Sequence, residues 1–117
     1  MNRILIDTIN KKNTSRPPVW FMRQAGRILP SYRDLKKRHH FYSMMKDKDL
    51  AAEVTLLPIN DLKVDAAISF SDILVIPDAM GLELDFTSNG PKFSNALKTN
   101  GNNKIKYDSS KLGYVYD

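Results

Sequence analysis

The middle of the chain carries hydrophobic residues at helical spacing. Three of them would share one helix face and pack against a core: Leu50, Val54 and Leu57. Asp47 or Asp49 can begin this helix, because a carboxylate accepts hydrogen bonds from the unpaired N–H groups of the first turn. Pro58 is expected to kink or end the helix, since proline has no N–H to donate and its ring clashes with the preceding turn.

The N-terminal part of the chain predicts two shorter helices. Apolar residues four positions apart favour a helix over residues 4–9. A second helix is predicted from Pro30 to about Arg38, with Ser31 capping its start and Asp34 completing a capping box. Two consecutive prolines between these helices predict an extended connection.

The second half of the chain contains two strand patterns and several turn signals. Residues 65–70 predict a strand, and the small and apolar residues at its centre suit burial on both faces. Residues 82–86 alternate apolar and acidic side chains, which is typical of a half-buried strand. Turns are expected at residues 77–78 and 89–91, and the polar residues 98–110 predict a long loop.

Together these patterns predict an α/β fold. A helix directly before a doubly buried strand is typical of that architecture. The whole chain provides only two or three helices and two or three strands, yet a parallel sheet needs both of its faces covered. Too few elements are present to cover the strand at residues 65–70, so the sequence suggests an incomplete domain.

Composition limits the class of protein. The chain has 117 residues, no cysteine and a net charge of +5. Without cysteine, disulfides, thiolate metal sites and a cysteine nucleophile are excluded within this segment. There is no run of about 18 apolar residues, which excludes a transmembrane helix, and Asp7 interrupts the region where a signal peptide would be apolar. A soluble cytoplasmic protein is therefore expected.

The charge is unevenly distributed along the chain. Residues 1–48 hold 12 Lys and Arg against 3 acids, whereas residues 49–117 hold 6 against 10. A basic first half suggests an anionic partner, although a solvated basic face is the simpler explanation of the composition alone.

The most informative stretch for function is Arg-Gln-Ala-Gly-Arg at residues 23–27. Arg23 and Arg27 lie four positions apart, so in a helix both guanidinium groups would share one face. In a loop, Gly26 would let the backbone approach a ligand closely. Either arrangement can bind carboxylates in bidentate geometry, and phosphate would fit equally well. The spacing is also compatible with surface arginines paired to nearby acids.

Asp72 is the second candidate, because it lies just after the predicted strand at residues 65–70. Functional groups of α/β folds are placed at this end of their strands, but an aspartate there can equally cap the next turn. The two histidines, His39 and His40, are predicted at a solvated helix end. No carboxylate lies at metal-ligand spacing in their segment, so no metal site is predicted.

Several segments read together resemble the uroporphyrinogen decarboxylase family. The segments that carry the resemblance, in family order, are 18–27, 29–30, 32–33, 51–56 with Pro58, 65–68, 70–79, 81–82 and 90–93. The resemblance covers roughly residues 3–97, and the polar tail at residues 98–117 has no match. Ile28 replaces an aromatic residue that is common in the family, and Ser31 replaces a common acid.

The resemblance implies a fold and a function. Residues 1–117 would be the N-terminal portion of one (β/α)8 TIM barrel domain, incomplete in this chain. The family consists of carboxy-lyases that convert the acetate side chains of uroporphyrinogen III to methyl groups, giving coproporphyrinogen III in haem biosynthesis, without cofactor or metal. The implied partners are this tetrapyrrole and, at full length, a second copy in a homodimer. Neither nucleic acid nor a membrane is implied.

The resemblance also implies a set of substrate-binding residues: Arg23, Gln24, Ala25, Gly26, Arg27, Tyr42 and Asp72. Within this set Arg23 and Arg27 would bind substrate carboxylates. Asp72 would be the catalytic residue and would accept hydrogen bonds from the pyrrole N–H groups at the centre of the macrocycle. Tyr42 stands where some members of the family have an aromatic substrate contact.

Two other interpretations compete with this one. The chain could belong to a related barrel of the corrinoid methyltransferases, which use zinc with Cys and His ligands and generally lack the Arg-Gln-Ala-Gly-Arg segment. It could also be a non-catalytic fragment. A third of a barrel would expose strand edges and an uncovered core, so the polypeptide alone is expected to be inactive and poorly soluble.

Overall fold

The computed structural model describes residues 3–22, 24–94, 96 and 105–116. These residues form six α-helices, one 3-10 helix and two β-strands. In chain order the elements are α1 (Ile4–Ile9), α2 (Pro30–Arg38), α3 (Phe41–Lys46), α4 (Lys48–Leu62), α5 (Val75–Ala79), β1 (Leu84–Thr87), β2 (Gly90–Phe93), the 3-10 helix (Ser109–Leu112) and α6 (Gly113–Tyr116). No helix among the described residues is long and apolar enough to cross a membrane.

Helix α4 confirms the pattern that predicts it. The Asp47 carboxylate accepts hydrogen bonds from the N–H groups of Asp49 and Leu50, each at 3.0 Å, and so caps the start of the helix. Val54 and Leu57 are buried on its core face. The helix does not end at Pro58 but continues to Leu62. The Pro58 ring is fully buried, so packing offsets the missing N–H bond.

Helices α1 and α2 lie where they are predicted, but the start of α2 differs. Pro30 is its first residue and Leu29 its N-cap, with no side-chain cap. Because the fixed φ of proline suits the first helical position, Ser31 falls inside the first turn, where its hydroxyl donates to Asp61. Asp34 pairs with Lys37 at 2.8 Å. The predicted capping box is therefore wrong.

The only sheet among the described residues is an antiparallel hairpin of β1 and β2, paired from Leu84 with Phe93 to Thr87 with Gly90. Side chains of β1 are alternately half-buried and exposed, which confirms the alternation predicted for residues 82–86. The reversal occupies residues 88–89, just ahead of the expected turn, and Gly90 adopts a positive φ of 108° at the start of β2.

Residues 65–70 do not form the predicted strand. A strand needs a neighbour to hydrogen-bond with, and here the Asp65 N–H donates to the Val19 carbonyl while the Phe70 N–H donates to the Thr55 hydroxyl. Ile68 is 65% exposed, so the expected burial on both faces is also wrong. The described part of the chain is a mixed helix and strand structure in which this segment runs between the helices without a partner strand.

Two further predictions from turn and loop signals change in the structure. Residues 77–78 lie inside α5 and do not form a turn. Of the predicted loop at residues 98–110, residues 98–104 lie outside the described part of the chain. Residues 105–108 have no regular structure, and the 3-10 helix begins at Ser109.

The core consists of two clusters of buried apolar residues. The first contains Leu29, Tyr32, Leu35, Met44, Val54 and Leu57, from α2 and its N-cap, α3 and α4. The second contains Met45, Val75, Ala79 and Leu112 from α3, α5 and the 3-10 helix. Phe41 and Phe70 pack against both clusters, with their ring centroids 5.4 Å apart. Phe70 therefore anchors the chain two residues before Asp72.

Candidate functional site

A cleft of about 840 Å³ lies between helices α2 and α3 and the β1–β2 hairpin. Its lining includes three of the residues that the sequence predicts for the site: Arg27, Tyr42 and Asp72. These residues are separated by up to 45 positions and come from a loop, a helix and the segment before α5. The tertiary structure thus brings one cation, one aromatic ring and one carboxylate to a common cavity.

Asp72 is half-buried and uses one carboxylate oxygen in the local structure. Its Oδ1 accepts a hydrogen bond from the Leu74 N–H at 2.8 Å, and its carbonyl accepts one from the Val75 N–H at 3.4 Å. Asp72 therefore caps the turn that leads into α5. Among the described residues no donor is bonded to Oδ2, and Asp72 lines the cleft.

Arg27 is exposed on the loop that precedes α2. The Arg33 guanidinium donates to the carbonyls of Arg27 and Ile28, at 3.0 and 3.2 Å, and so holds the backbone of this loop. Burial raises the pKa of Tyr32, and the positive charge of Arg27 opposes that rise. Among the described residues no acid pairs with the Arg27 guanidinium.

Tyr42 forms part of the cleft wall, and neighbours contact both its ring and its hydroxyl. The hydroxyl donates to the Asp78 carboxylate at 2.8 Å. The Lys46 ammonium lies 4.2 Å from the centroid of the Tyr42 ring, and Phe86 packs at 5.9 Å. Burial lowers the pKa of Lys46, but the Tyr42 hydroxyl and the Asp78 charge outweigh burial, so this pKa is raised. Tyr42 therefore presents its ring, with a fixed orientation, to the cleft.

Comparison with known proteins identifies the family of the chain. The family model described as uroporphyrinogen decarboxylase (URO-D) matches residues 1–117. A uroporphyrinogen decarboxylase of Vesicomyosocius okutanii is 51% identical over 96% of this chain and 34% of its own length. The corresponding protein of Sulfurovum sp. is 46% identical over 100% of this chain and 36% of its own length. That of Ruthia magnifica is 55% identical over 82% of this chain and 29% of its own length.

The chain belongs to the uroporphyrinogen decarboxylase family. It spans about a third of the length of the curated relatives that it matches. The resemblance inferred from the sequence motifs is thus confirmed at the level of the family.

The remaining residues of the family segment 23–27 lie apart from the cleft or outside the described structure. Arg23 lies outside the described residues. Gln24 and Ala25 line a separate pocket of about 190 Å³, beside Trp20 and Phe70. Gly26 is half-buried, and its carbonyl accepts a hydrogen bond from the Leu29 N–H at 3.0 Å. Within the described part of this segment, only Arg27 lines the larger cleft.

Several cleft residues were not predicted from the sequence. Lys36, His39 and His40 line the cleft on the side of α2. The two histidines lie at helix ends, as predicted, but they face a cavity. Because they lie in the same basic stretch of sequence as Arg27, their sequence position could have indicated that they line the site. Asp85 and Phe86 from the hairpin form the opposite wall, and no local signal in the sequence links them to the site. Among the described residues, no group of three His, Cys, Asp or Glu could hold a metal ion.

Proposed function

We propose that this chain corresponds to the N-terminal third of a uroporphyrinogen decarboxylase. The full-length enzyme would convert uroporphyrinogen III to coproporphyrinogen III by removing the carboxyl groups of the acetate side chains, without a cofactor. The observation that carries the proposal is the shared cleft of Arg27, Tyr42 and Asp72 in a chain of this family. Its relatives carry the name of this activity.

The chemistry requires an electron sink for the electrons left behind when CO₂ departs from an acetate side chain. Protonation of the ring carbon next to the one that bears the side chain makes the ring cationic, and the electrons of the breaking C–C bond then flow into the ring and leave an exocyclic methylene. The methylene takes up a proton to become the methyl group, and the ring carbon releases its proton. A carboxylate held beside the ring stabilises this cation, because the attraction is strong in a site from which water is excluded. Asp72 fits this role, since its Oδ1 is fixed by the Leu74 N–H and its Oδ2 remains for the pyrrole N–H groups.

Substrate binding would rest on positive charge around the rim of the cleft. Uroporphyrinogen carries eight carboxylates, and Arg27 and Lys36 both line the cavity. A guanidinium binds a carboxylate with two parallel hydrogen bonds, so Arg27 and Arg23 would orient the acetate that reacts. Gln24, Ala25 and Gly26 would contribute through the backbone of the segment, and the ring of Tyr42 would contact the macrocycle.

We propose a (β/α)8 barrel for the full-length enzyme, with residues 65–70 as its first strand. The segment lies between α4 and α5, is followed at once by Asp72, and has partly exposed side chains that a neighbouring strand would cover. Active sites of such barrels lie at the carboxyl ends of their strands, where Asp72 would then be placed. We further propose that the full-length enzyme is a homodimer in the cytoplasm. It would act on a free tetrapyrrole and bind neither nucleic acid nor a membrane.

The test is an assay of the full-length enzyme with uroporphyrinogen III and no added cofactor. Asp72→Asn keeps an oxygen that can accept from the Leu74 N–H but removes the negative charge. We expect kcat to fall by at least about 100-fold, the order of effect of removing one electrostatic contact to a transition state. Asp85→Asn is the matched control, since Asp85 lines the same cleft on the hairpin side, and its kcat should change less than about threefold.

Three outcomes are distinguishable. Loss of activity in Asp72→Asn alone supports both the reaction and the role of Asp72. Equal activity in Asp72→Asn and the wild type would keep the reaction and reject that role. A folded wild-type enzyme that does not form coproporphyrinogen III would overturn the proposed function.

A further inference from the structure

An ion pair ties the segment before residue 23 to the segment before Asp72. The Arg16 guanidinium binds the Asp65 carboxylate with both arms, Nη1 to Oδ2 at 2.5 Å and Nη2 to Oδ1 at 2.8 Å. The Asp65 side chain is only 1% exposed, whereas that of Arg16 is 48% exposed. Asp65 also exchanges two hydrogen bonds with Val19, from the Val19 N–H to Oδ2 and from its own N–H to the Val19 carbonyl. A planar guanidinium bound by two arms fixes orientation as well as distance.

A second bridge joins the same two segments at Gln24. This side chain is buried, with 5% exposure. Its Nε2 donates to the Ala66 carbonyl at 2.7 Å, and its Oε1 accepts from the Phe21 N–H at 3.0 Å. Both ends of the amide are therefore bonded to backbone, one of them across 42 residues of sequence. The side chain of Gln24 is engaged in holding the loop and not directed into the cleft with Arg27.

Apolar packing contributes little at residues 20–22, the described residues between the two bridges. Trp20 is 41% exposed, Phe21 56% and Met22 78%. Polar bonds to residues 65 and 66 therefore determine where this stretch lies. Three residues beyond Gln24 the chain reaches Arg27, and six residues beyond Ala66 it reaches Asp72. Phe70 packs against both core clusters and so anchors the chain between Ala66 and Asp72.

We propose that Arg16, Asp65 and Gln24 are positioning residues that set the arginine segment at residues 23–27 relative to Asp72. This inference rests on the proposed function, because the arginine segment and Asp72 both bind the substrate only if that function is correct. The side chains of these three residues hold the backbone of the segment and do not touch the substrate. The double bridge transmits the position of the Asp72 segment to the arginines, so that substrate carboxylates and the pyrrole N–H groups are bound in register.

The experiment uses the full-length enzyme with Arg16→Met and Gln24→Met, which keep side-chain length and remove the bridging groups. Arg16→Lys is the conservative variant, since it keeps the charge but loses the two-armed geometry. Lys12→Met is the matched control, because Lys12 forms an exposed ion pair with Asp7 at 3.4 Å, outside the two segments. For each folded variant, kcat and KM for uroporphyrinogen III are measured, together with amide hydrogen exchange of residues 17–27.

We expect KM to rise roughly tenfold in Arg16→Met and Gln24→Met with kcat changed less than threefold, since a displaced binding group weakens productive binding. Arg16→Lys should restore part of the loss, and Lys12→Met should match the wild type. Exchange in residues 17–27 should accelerate in the two Met variants. A purely structural role would lower the melting temperature without changing KM.

The results separate the inference from the function on which it rests. Unchanged KM with an active wild type would overturn the positioning role and leave the decarboxylase assignment intact. Unchanged hydrogen exchange would show that the bridges do not hold the segment, and would overturn the inference even if KM changed. An inactive wild type would overturn the proposed function and, with it, the purpose of the bridges, whatever the exchange data show about the segment.

Discussion

At the scale of single residues, Asp72 combines a structural and a chemical capacity. One oxygen caps the turn into α5, and the other has no partner among the described residues. The two interpretations of this aspartate from the sequence, a cap and a functional carboxylate, are therefore compatible. The cap fixes the carboxylate in one orientation, as the proposed contact with the pyrrole N–H groups would require.

Tyr42 offers a test of the cleft wall at the same scale. Tyr42→Phe removes the hydrogen bond to Asp78 but keeps the ring against Phe86 and Lys46. We expect the free energy of unfolding of the full-length protein to fall by about 1 kcal/mol, the usual net value of one such bond. Urea denaturation of the variant and the wild type measures this difference in the free energy of unfolding.

The control for this prediction is Tyr107→Phe. Tyr107 is 62% exposed, and its hydroxyl has no hydrogen bond within the described part of the chain. Its stability should match the wild type. Equal losses in Tyr42→Phe and Tyr107→Phe would mean that the bond to Asp78 contributes nothing.

At the scale of elements, helix α4 is the support on which α2 and α3 pack. It contributes Val54 and Leu57 to the first core cluster, and its Thr55 hydroxyl receives the N–H of Phe70. The helix therefore holds the segment that carries Asp72. Its own start depends on Asp47, which is also the C-cap of α3 and so directly joins the two helices.

Asp47→Ala tests this dependence on the cap. Loss of both accepted hydrogen bonds should lower the free energy of unfolding by about 1 kcal/mol, within the range of 0.5 to 2 kcal/mol that is typical of N-caps. Glu53→Ala, on the exposed face of the same helix, should change it by less than about 0.5 kcal/mol. If chemical denaturation gave the same loss for both variants, the cap would not be what stabilises the helix start.

At the scale of the whole molecule, the chain is more extended than a closed domain of its length. Its radius of gyration is 17.6 Å, compared with about 13 Å for a compact domain of this size. Large apolar side chains remain at the surface: Ile73 is 91% exposed, Ile28 75% and Ile68 65%. Surfaces of this kind associate with other apolar surfaces.

We expect the 117-residue chain, expressed by itself, to bind a hydrophobic fluorescent dye and to self-associate. Ile68→Thr and Ile73→Thr together should reduce dye fluorescence, because both side chains are exposed near the segment that lacks a partner strand. Val54→Thr is the contrasting change, since Val54 is fully buried and its substitution should raise dye binding by loosening the core. A monomeric chain without dye binding in light scattering would contradict this expectation.

Local patterns in the sequence were sufficient for α1, α2, α4 and β1, but they did not predict α3, α5 or α6. The spacing of Val54 and Leu57 predicted α4 and its buried face, and the alternation at residues 82–86 predicted β1. The end of α4 could not be found in this way. Proline usually breaks a helix, and only the buried position of the Pro58 ring shows why α4 continues.

The site was predictable only in part, because some of its residues belong to local motifs and others do not. Motif order indicated the family, together with Arg27, Tyr42 and Asp72, which the fold brings to one cleft. The hairpin wall and the bridge from Arg16 to Asp65 were not predictable, because those partners lie far apart in sequence and carry no local signature.

The sequence by itself determined the family, helices α1, α2 and α4, and the residue types available for binding a polyanion, because these depend on local spacing and on chemistry that each residue carries alone. Only the tertiary structure decided which groups share a cavity. It assigned one oxygen of Asp72 to a cap, both ends of the Gln24 amide to the backbone, and residues 65–70 to a segment without a strand neighbour. Each of these outcomes depends on a partner distant in sequence or on the absence of a pairing strand, and neither is encoded in a short stretch of chain.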